Sequence, residues 1–160
     1  MPNIQRSRTS GADIISEKSV VQEAHGVRRP RIAFVCVHNS CRSQIAEAFS
    51  RAYAHDTFDV FSAGTEPSEI DPDALRLLTD RYGINVKDRQ SSKHISDLPR
   101  VDIVVTMGCG VACPNVLCRH SEDWGIGDPT GSDDAVFIEV METVYEKVLD
   151  LRERIRSGRL

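Results

Sequence analysis

Apolar and polar positions in this chain switch repeatedly between two periods. Ile32-Ala33-Phe34-Val35 is an unbroken apolar run of strand length, and directly after it Ile45, Ala48, Phe49, Ala52 and Tyr53 recur at helical spacing. The exchange then repeats. Thr57 to Ala63 reads as a second strand. Asp71-Pro72 opens a helix with a capping side chain and a proline at the first helical position. Ala74, Leu75, Leu78 and Tyr82 supply its apolar stripe, and Gly83 ends it. Val101 to Met107 is a short buried strand, and a last helix from about Asp134 to Ser157 carries Phe137, Val140, Met141, Val144, Val148, Leu151 and Ile155 on one face. Strands separated by helices predict an α/β fold, a central parallel sheet flanked by helices. Residues 1–30 break the pattern. They are polar, carry Arg6, Arg8, Arg28 and Arg29, and sustain no apolar face, so they are expected to form a mobile extension ahead of a domain over 31–160.

In a parallel sheet, ligands bind at the carboxyl ends of strands. Two such ends carry chemistry: the loop Cys36-Val37-His38-Asn39-Ser40-Cys41-Arg42-Ser43 and the segment that begins at Cys109. The first runs from a strand end into a helix N-terminus, where unpaired N–H groups and the positive end of the helix dipole attract an oxyanion. Both effects also favour the thiolate form of a cysteine beneath that anion. Arg42 adds a planar fork of donors suited to a phosphate-like dianion. Cys36 is therefore the candidate nucleophile, and Val37, His38, Asn39, Ser40, Cys41, Arg42 and Ser43 are the candidate oxyanion-binding residues. A buried Cys36 serving only as a small apolar residue would leave Arg42 and the polar loop without a purpose. Asn39 is expected to order the loop through bonds to its backbone, Ser43 to steady the thiolate, and His38 to be a solvated loop residue. Cys41 reads as filler, with an off-pathway disulfide as its alternative.

Cys36-x5-Arg42-Ser43, followed by Ala46-Glu47 and Ser62-Ala63-Gly64, resembles the low-molecular-weight tyrosine phosphatase fold, and more closely the arsenate reductases built on it. The resemblance continues through Val104–Gly110, Cys113-Pro114 and Asp123-Trp124-Gly125-Ile126-Gly127-Asp128-Pro129. It implies that Cys36 attacks and that Asp128 is the general acid. An acid must be protonated when it acts, so burial against Trp124 is expected to raise the Asp128 pKa. Glu47 and Ser62 match positions that hold potassium in some reductases. Gln90 and Ser92 do not match that pattern well, so the resemblance does not extend to a claim of the ion.

The later cysteines separate the two activities. A phosphatase needs one thiol, whereas reducing arsenate takes two electrons, which oxidation of a dithiol supplies. The resemblance then implies a cascade: Cys109 resolves Cys36, Cys113 resolves Cys109, and an external thiol reductant, thioredoxin above all, regenerates the pair. Gly108 and Gly110 give Cys109 room to swing. Only Gly110-Val111-Ala112 separate Cys109 from Cys113, a shorter insert than in the best-known thioredoxin-coupled members, and the resemblance leaves Cys118 unassigned, so Cys118 is the alternative resolving thiol. Cys109, Cys113, Cys118 and His120 also have ligand types for zinc, but lack the paired C-x2-C spacing. Against a phosphotyrosine phosphatase, Thr130-Gly131 stand where those enzymes carry tyrosines after Asp-Pro. A non-catalytic arsenical or oxyanion sensor is the remaining alternative.

Composition narrows the setting. A net charge of −4 argues against nucleic acid or an anionic membrane as the main partner. There is no apolar stretch of spanning length and no secretory signal. Five cysteines, an odd number and mostly clustered, suggest reduced thiols in the cytoplasm rather than a disulfide framework.

Overall fold

A computed structural model of the chain describes residues 28–108 and 116–160. Four parallel strands form one sheet in the order β2-β1-β3-β4: β1 Arg31–Cys36, β2 Asp59–Gly64, β3 Ile103–Thr106 and β4 His120–Asp123. The helices are α1 Arg42–Tyr53, α2 Pro72–Tyr82 and α3 Asp134–Arg156, with a 3-10 turn at Ile95–Asp97. Register is set by Ile32 opposite both Val60 and Ile103, and by Val105 opposite Glu122.

Successive side chains of β1 point to opposite faces. Ile32 and Phe34 join the larger core cluster, into which α1 sends Ile45 and Phe49 and α3 sends Phe137, Met141, Val144, Val148 and Leu151. Ala33 and Val35 face a smaller cluster with Val101 and Val104, closed by Phe61, Ile95, Leu98, Val116 and Cys118. The β1–α1 loop and the chain that leaves β3 after Thr106 therefore start from the same edge of the sheet. Since β2 lies on one side of β1 and β3 on the other, the order reverses at β1, and a crevice opens beyond the carboxyl ends of β1 and β3.

Local signals place the ends of α2 as the sequence predicts. Asp71 accepts from the amides of Asp73 and Ala74, Pro72 follows it, and Gly83 takes the left-handed conformation at φ 66°. β4 is different. His-Ser-Glu-Asp has no apolar residue and is not announced by the sequence; among the described residues it is an edge strand that pairs only with β3 and needs no second buried face. Glu122 anchors it, accepting both terminal nitrogens of Arg154, at 2.7 and 2.9 Å, and the Trp124 indole at 2.8 Å. Residues 1–27 lie outside the described residues, and with them most of the expected extension. Arg28 already bonds Asp102 at 3.0 Å, and Arg29 bonds the His55 carbonyl at 2.7 Å. None of the described helices is long and apolar enough to cross a membrane.

Arg154 above all, with His120 and Trp124 and against partial burial, holds the Glu122 carboxyl down to about 2 from an ordinary 4.5. The folded value lies below the unfolded one, so this stabilisation is full above about pH 4.5 and is lost as pH falls toward 2. Glu122→Gln should lower stability at pH 7 and flatten the loss of stability on acidification across that window. Urea denaturation at pH 7 and pH 3 checks this; equal acid losses in both proteins would contradict it.

Candidate active site

The loop between β1 and α1 is held from outside through its carbonyl oxygens. Val37 O accepts the Glu66 amide at 2.8 Å, His38 O the Ser68 amide at 3.0 Å, and Ser40 O the Asp71 amide at 2.9 Å. Asn39 O accepts Gln44 Nε2 at 3.0 Å, and Cys41 O accepts the Ile45 amide at 2.9 Å. With its carbonyls engaged in this way, the loop has its amide N–H groups free to turn toward an anion, at the N-terminus of α1. Gly64 allows the close fit: a Cβ there would lie 2.5 Å from Val37 O and 2.8 Å from Asn39 N.

A buried polar chain orders the Cys36 side chain. Asn39 takes φ 47°, unusual for a non-glycine residue, and is fully buried. Its Nδ2 donates to Ser43 Oγ at 2.9 Å and Ser62 Oγ at 3.0 Å, and its Oδ1 accepts the Lys93 amide at 2.9 Å. The sequence suggested bonds to its own loop; the structure instead ties it to α1, β2 and the segment after α2. Ser43 Oγ, already accepting from Asn39, lies 2.8 Å from Cys36 Sγ and has its hydroxyl proton available for the sulfur. Ser62 donates to Glu47 Oε2 at 2.9 Å, and Arg51 reaches Glu47 Oε1 at 2.9 Å. Gln44 and Gln90 extend the chain, Gln90 Nε2 donating to Gln44 Oε1 at 2.8 Å. Gln44 was not singled out from sequence, and Gln90 was considered only as a companion of Glu47 and Ser62. The signal for Gln44 was there: a polar residue one position before Ile45, on the first turn that enters the sheet edge.

Arg42 is almost buried and bridges three segments. Its Nη1 donates to Met107 O at 3.1 Å and Ile126 O at 2.7 Å, while Nη2 stands 3.8 Å from Asp128 Oδ2. An open cleft of about 540 Å³ has Arg42, Gly108, Gly125 and Asp128 among its lining residues. His38 is exposed, its Nδ1 3.0 Å from Glu66 O. A carbonyl can only accept, so that nitrogen carries the proton.

Asp128 corrects an expectation. Its side chain is 46% exposed, and its carboxyl is held below the usual aspartate value rather than above it. Desolvation raises it, but the Thr130 hydroxyl and amide, then Arg42 and His38, together outweigh that. Thr130 Oγ1 donates to Asp128 Oδ1 at 2.7 Å. Trp124 packs elsewhere, its ring 5.3 Å from Phe34. Cys41 is buried, and burial, followed by the charges of Asp71, Asp128 and Cys36, pushes its thiol far up. Cys118 is half-buried in the smaller cluster, whereas Cys36 belongs to the larger one, across the sheet. Cys109 and Cys113 lie outside the described residues. Among the described residues, no group of three His, Cys, Asp or Glu side chains is placed to hold a metal.

Gly64→Ala should displace the loop, because the new methyl would meet backbone on three sides. Phosphate affinity measured by calorimetry is expected to fall by roughly tenfold or more, ~1.4 kcal/mol. Wild-type affinity in the variant would show that the loop does not depend on this contact.

Comparison with known proteins agrees with this geometry. Residues 31–159 match the model of the low molecular weight phosphotyrosine protein phosphatase family. An arsenate reductase of Bacillus cereus strain Q1 is 35% identical over 124 residues, which cover 73% of this chain and 90% of that protein. A solved arsenate reductase in its phosphate-binding state superposes with a TM-score of 0.73 at 35% identity, covering 79% of this chain and 98% of that one. A thioredoxin-dependent arsenate reductase of Corynebacterium glutamicum gives 0.66 at 33% identity, over 92% of this chain and 72% of that one. The chain belongs to the low molecular weight phosphotyrosine protein phosphatase family, and these relatives within it are arsenate reductases.

Proposed function

We propose that this chain reduces arsenate to arsenite, with Cys36 as nucleophile and a Cys36–Cys109 disulfide as the first oxidised product. One observation carries the reading: the Cys36 loop and the Gly108 stem that leads into Cys109 meet at a single cleft, joined by Arg42. The arsenate reductases among the relatives support the choice of oxyanion.

Arsenate, tetrahedral and dianionic, enters the loop against its amides and the Nη2 edge of Arg42. The Cys36 thiolate forms a bond to arsenic, and Asp128 gives its proton to the departing oxygen, which leaves as water. Asp128 is held below the usual aspartate value, so its proton comes from the Cys36 thiol as that thiol ionises against the bound anion, whose added negative charge raises the Asp128 pKa. The departing oxygen already carries the proton of the monoprotonated dianion, and the one from Asp128 completes the water. Cys109 then attacks Cys36 Sγ. A sulfur–sulfur bond forms, the sulfur–arsenic bond breaks, and its electron pair passes to arsenic, which leaves as arsenite. In sum, arsenate and two thiols give arsenite, a disulfide and water.

Cys113 would next attack Cys109 and free Cys36, and a thioredoxin-type dithiol would reduce the Cys109–Cys113 pair. The resemblance to the thioredoxin-dependent enzyme supports that reductant. Cys118 is the weaker resolver, because it must leave its packing against the smaller cluster to react. Cys41 is a poor participant, since a buried thiol whose pKa is pushed up gives little thiolate.

Arsenate turnover with thioredoxin and its reductase, run on single cysteine variants, tests the scheme. Cys36→Ser should abolish both arsenate reduction and aryl phosphate hydrolysis. Cys109→Ser should lose reduction by at least about a hundredfold and keep hydrolysis, since chemistry on Cys36 alone needs no second thiol. Cys113→Ser should stop after one turnover, and Cys41→Ser and Cys118→Ser should turn over normally. Wild-type reduction by Cys109→Ser, or a strong preference of the native protein for aryl phosphate, would sink the proposal.

A further inference from the structure

The three residues ahead of Cys109 are pinned more firmly than the end of a strand requires. β3 stops at Thr106. Beyond it two further backbone bonds hold the segment, the Trp124 amide on Thr106 O at 2.8 Å and the Ile126 amide on Met107 O at 3.0 Å. A side chain adds to these bonds. Asp123 Oδ1 accepts the Gly108 amide at 2.6 Å and the Thr106 hydroxyl at 2.7 Å. One carboxylate oxygen thus clasps both ends of the Thr106-Met107-Gly108 tripeptide. Gly108 itself takes φ 82°, and a Cβ there would stand 2.7 Å from Gly125 Cα. Its amide is the last clasped group before Cys109.

We propose that Asp123 is a positioning residue for the second thiol: its clasp on Gly108 fixes where, and in which direction, the chain carrying Cys109 leaves the sheet. The inference rests on the disulfide mechanism above. In that step the Cys109 thiolate must reach Cys36 Sγ on the line of the breaking sulfur–arsenic bond, and such in-line attack is sensitive to small displacements of the attacking group. Asp123 is at the wall of the cleft, but its Oδ1 is taken up by the Thr106 hydroxyl and the Gly108 amide. The network around Cys36 runs through Ser43, Asn39, Ser62 and Glu47 and does not include it. Arg42 holds Met107 O and Ile126 O by bonds of its own, so the cleft keeps its shape without the clasp. A carboxylate suits the task because an ionised acceptor binds two donors at short range more strongly than a neutral one.

The test uses the full chain and the variants Asp123→Ala and Asp123→Asn, the second of which retains an Oδ1 acceptor. Reduced protein is mixed with arsenate without reductant, quenched at intervals, and the Cys36–Cys109 disulfide is followed by mass mapping. Aryl phosphate hydrolysis, which needs Cys36 but not Cys109, is measured in parallel. Asp123→Ala should form the disulfide about ten to a hundred times more slowly, with hydrolysis within about twofold of wild type; Asp123→Asn should recover most of the rate. Disulfide formation at the wild-type rate in Asp123→Ala overturns the inference. So does a loss of hydrolysis in the same proportion, which would mark a general structural role, or an Asn variant as slow as Ala. If the wild-type protein itself forms no Cys36–Cys109 disulfide with arsenate, the parent mechanism falls and the inference falls with it.

Discussion

The guanidinium of Arg42 is the joint on which the site depends. It sits on the first residue of α1, yet its Nη1 is committed to carbonyls at the end of β3 and in the loop that carries Asp128. The sheet relates the β1 loop to the loop after β4 at one remove, through β3. The buried Arg42 cation joins them directly. A buried arginine is tolerable only when its donors find acceptors. The two carbonyls therefore stabilise Arg42 while Arg42 positions them, leaving the Nη2 edge toward Asp128 and the cleft.

The second organising device is a line of short polar side chains inside an otherwise apolar packing. From Arg51 through Glu47, Ser62, Asn39 and Ser43 to Cys36, each hydroxyl or amide bonds the next. The line holds Asn39 in a backbone conformation that a bare side chain would not maintain. It also gives the Cys36 sulfur a donor fixed from behind rather than from solvent. Burying this many polar groups is acceptable because nearly all of them are paired; Ser50 Oγ and Gln90 Oε1 are the exceptions among the described residues.

The fold was largely legible in the sequence because its signals are local. The apolar run before Cys36, the Asp71-Pro72 cap, the Gly83 stop and the seven-residue stripe of α3 each report on their own neighbourhood. β4 was not legible, since His120–Asp123 owes its conformation to pairing with β3 and to the reach of Arg154 from the far end of the chain. The site was legible as a loop but not as a network. Cys36, Arg42 and Ser43 are adjacent in sequence, whereas Gln44 meets Gln90 and Asn39 meets Lys93 only after folding. The pKa of Asp128 was misjudged for the same reason: burial can be guessed from a nearby tryptophan, but hydrogen bonds from Thr130 and the charge of Arg42 cannot.

The chain contains a single tryptophan, and its surroundings make it an optical reporter. Trp124 stands four positions before Asp128, with its ring against Phe34, its indole proton on Glu122, and the Lys147 ammonium 5.9 Å from the ring centroid. Indole emission responds to nearby charge and to loss of a hydrogen bond. Any change in the charge or hydrogen bonding around this ring would therefore register in the intrinsic fluorescence of the unlabelled protein.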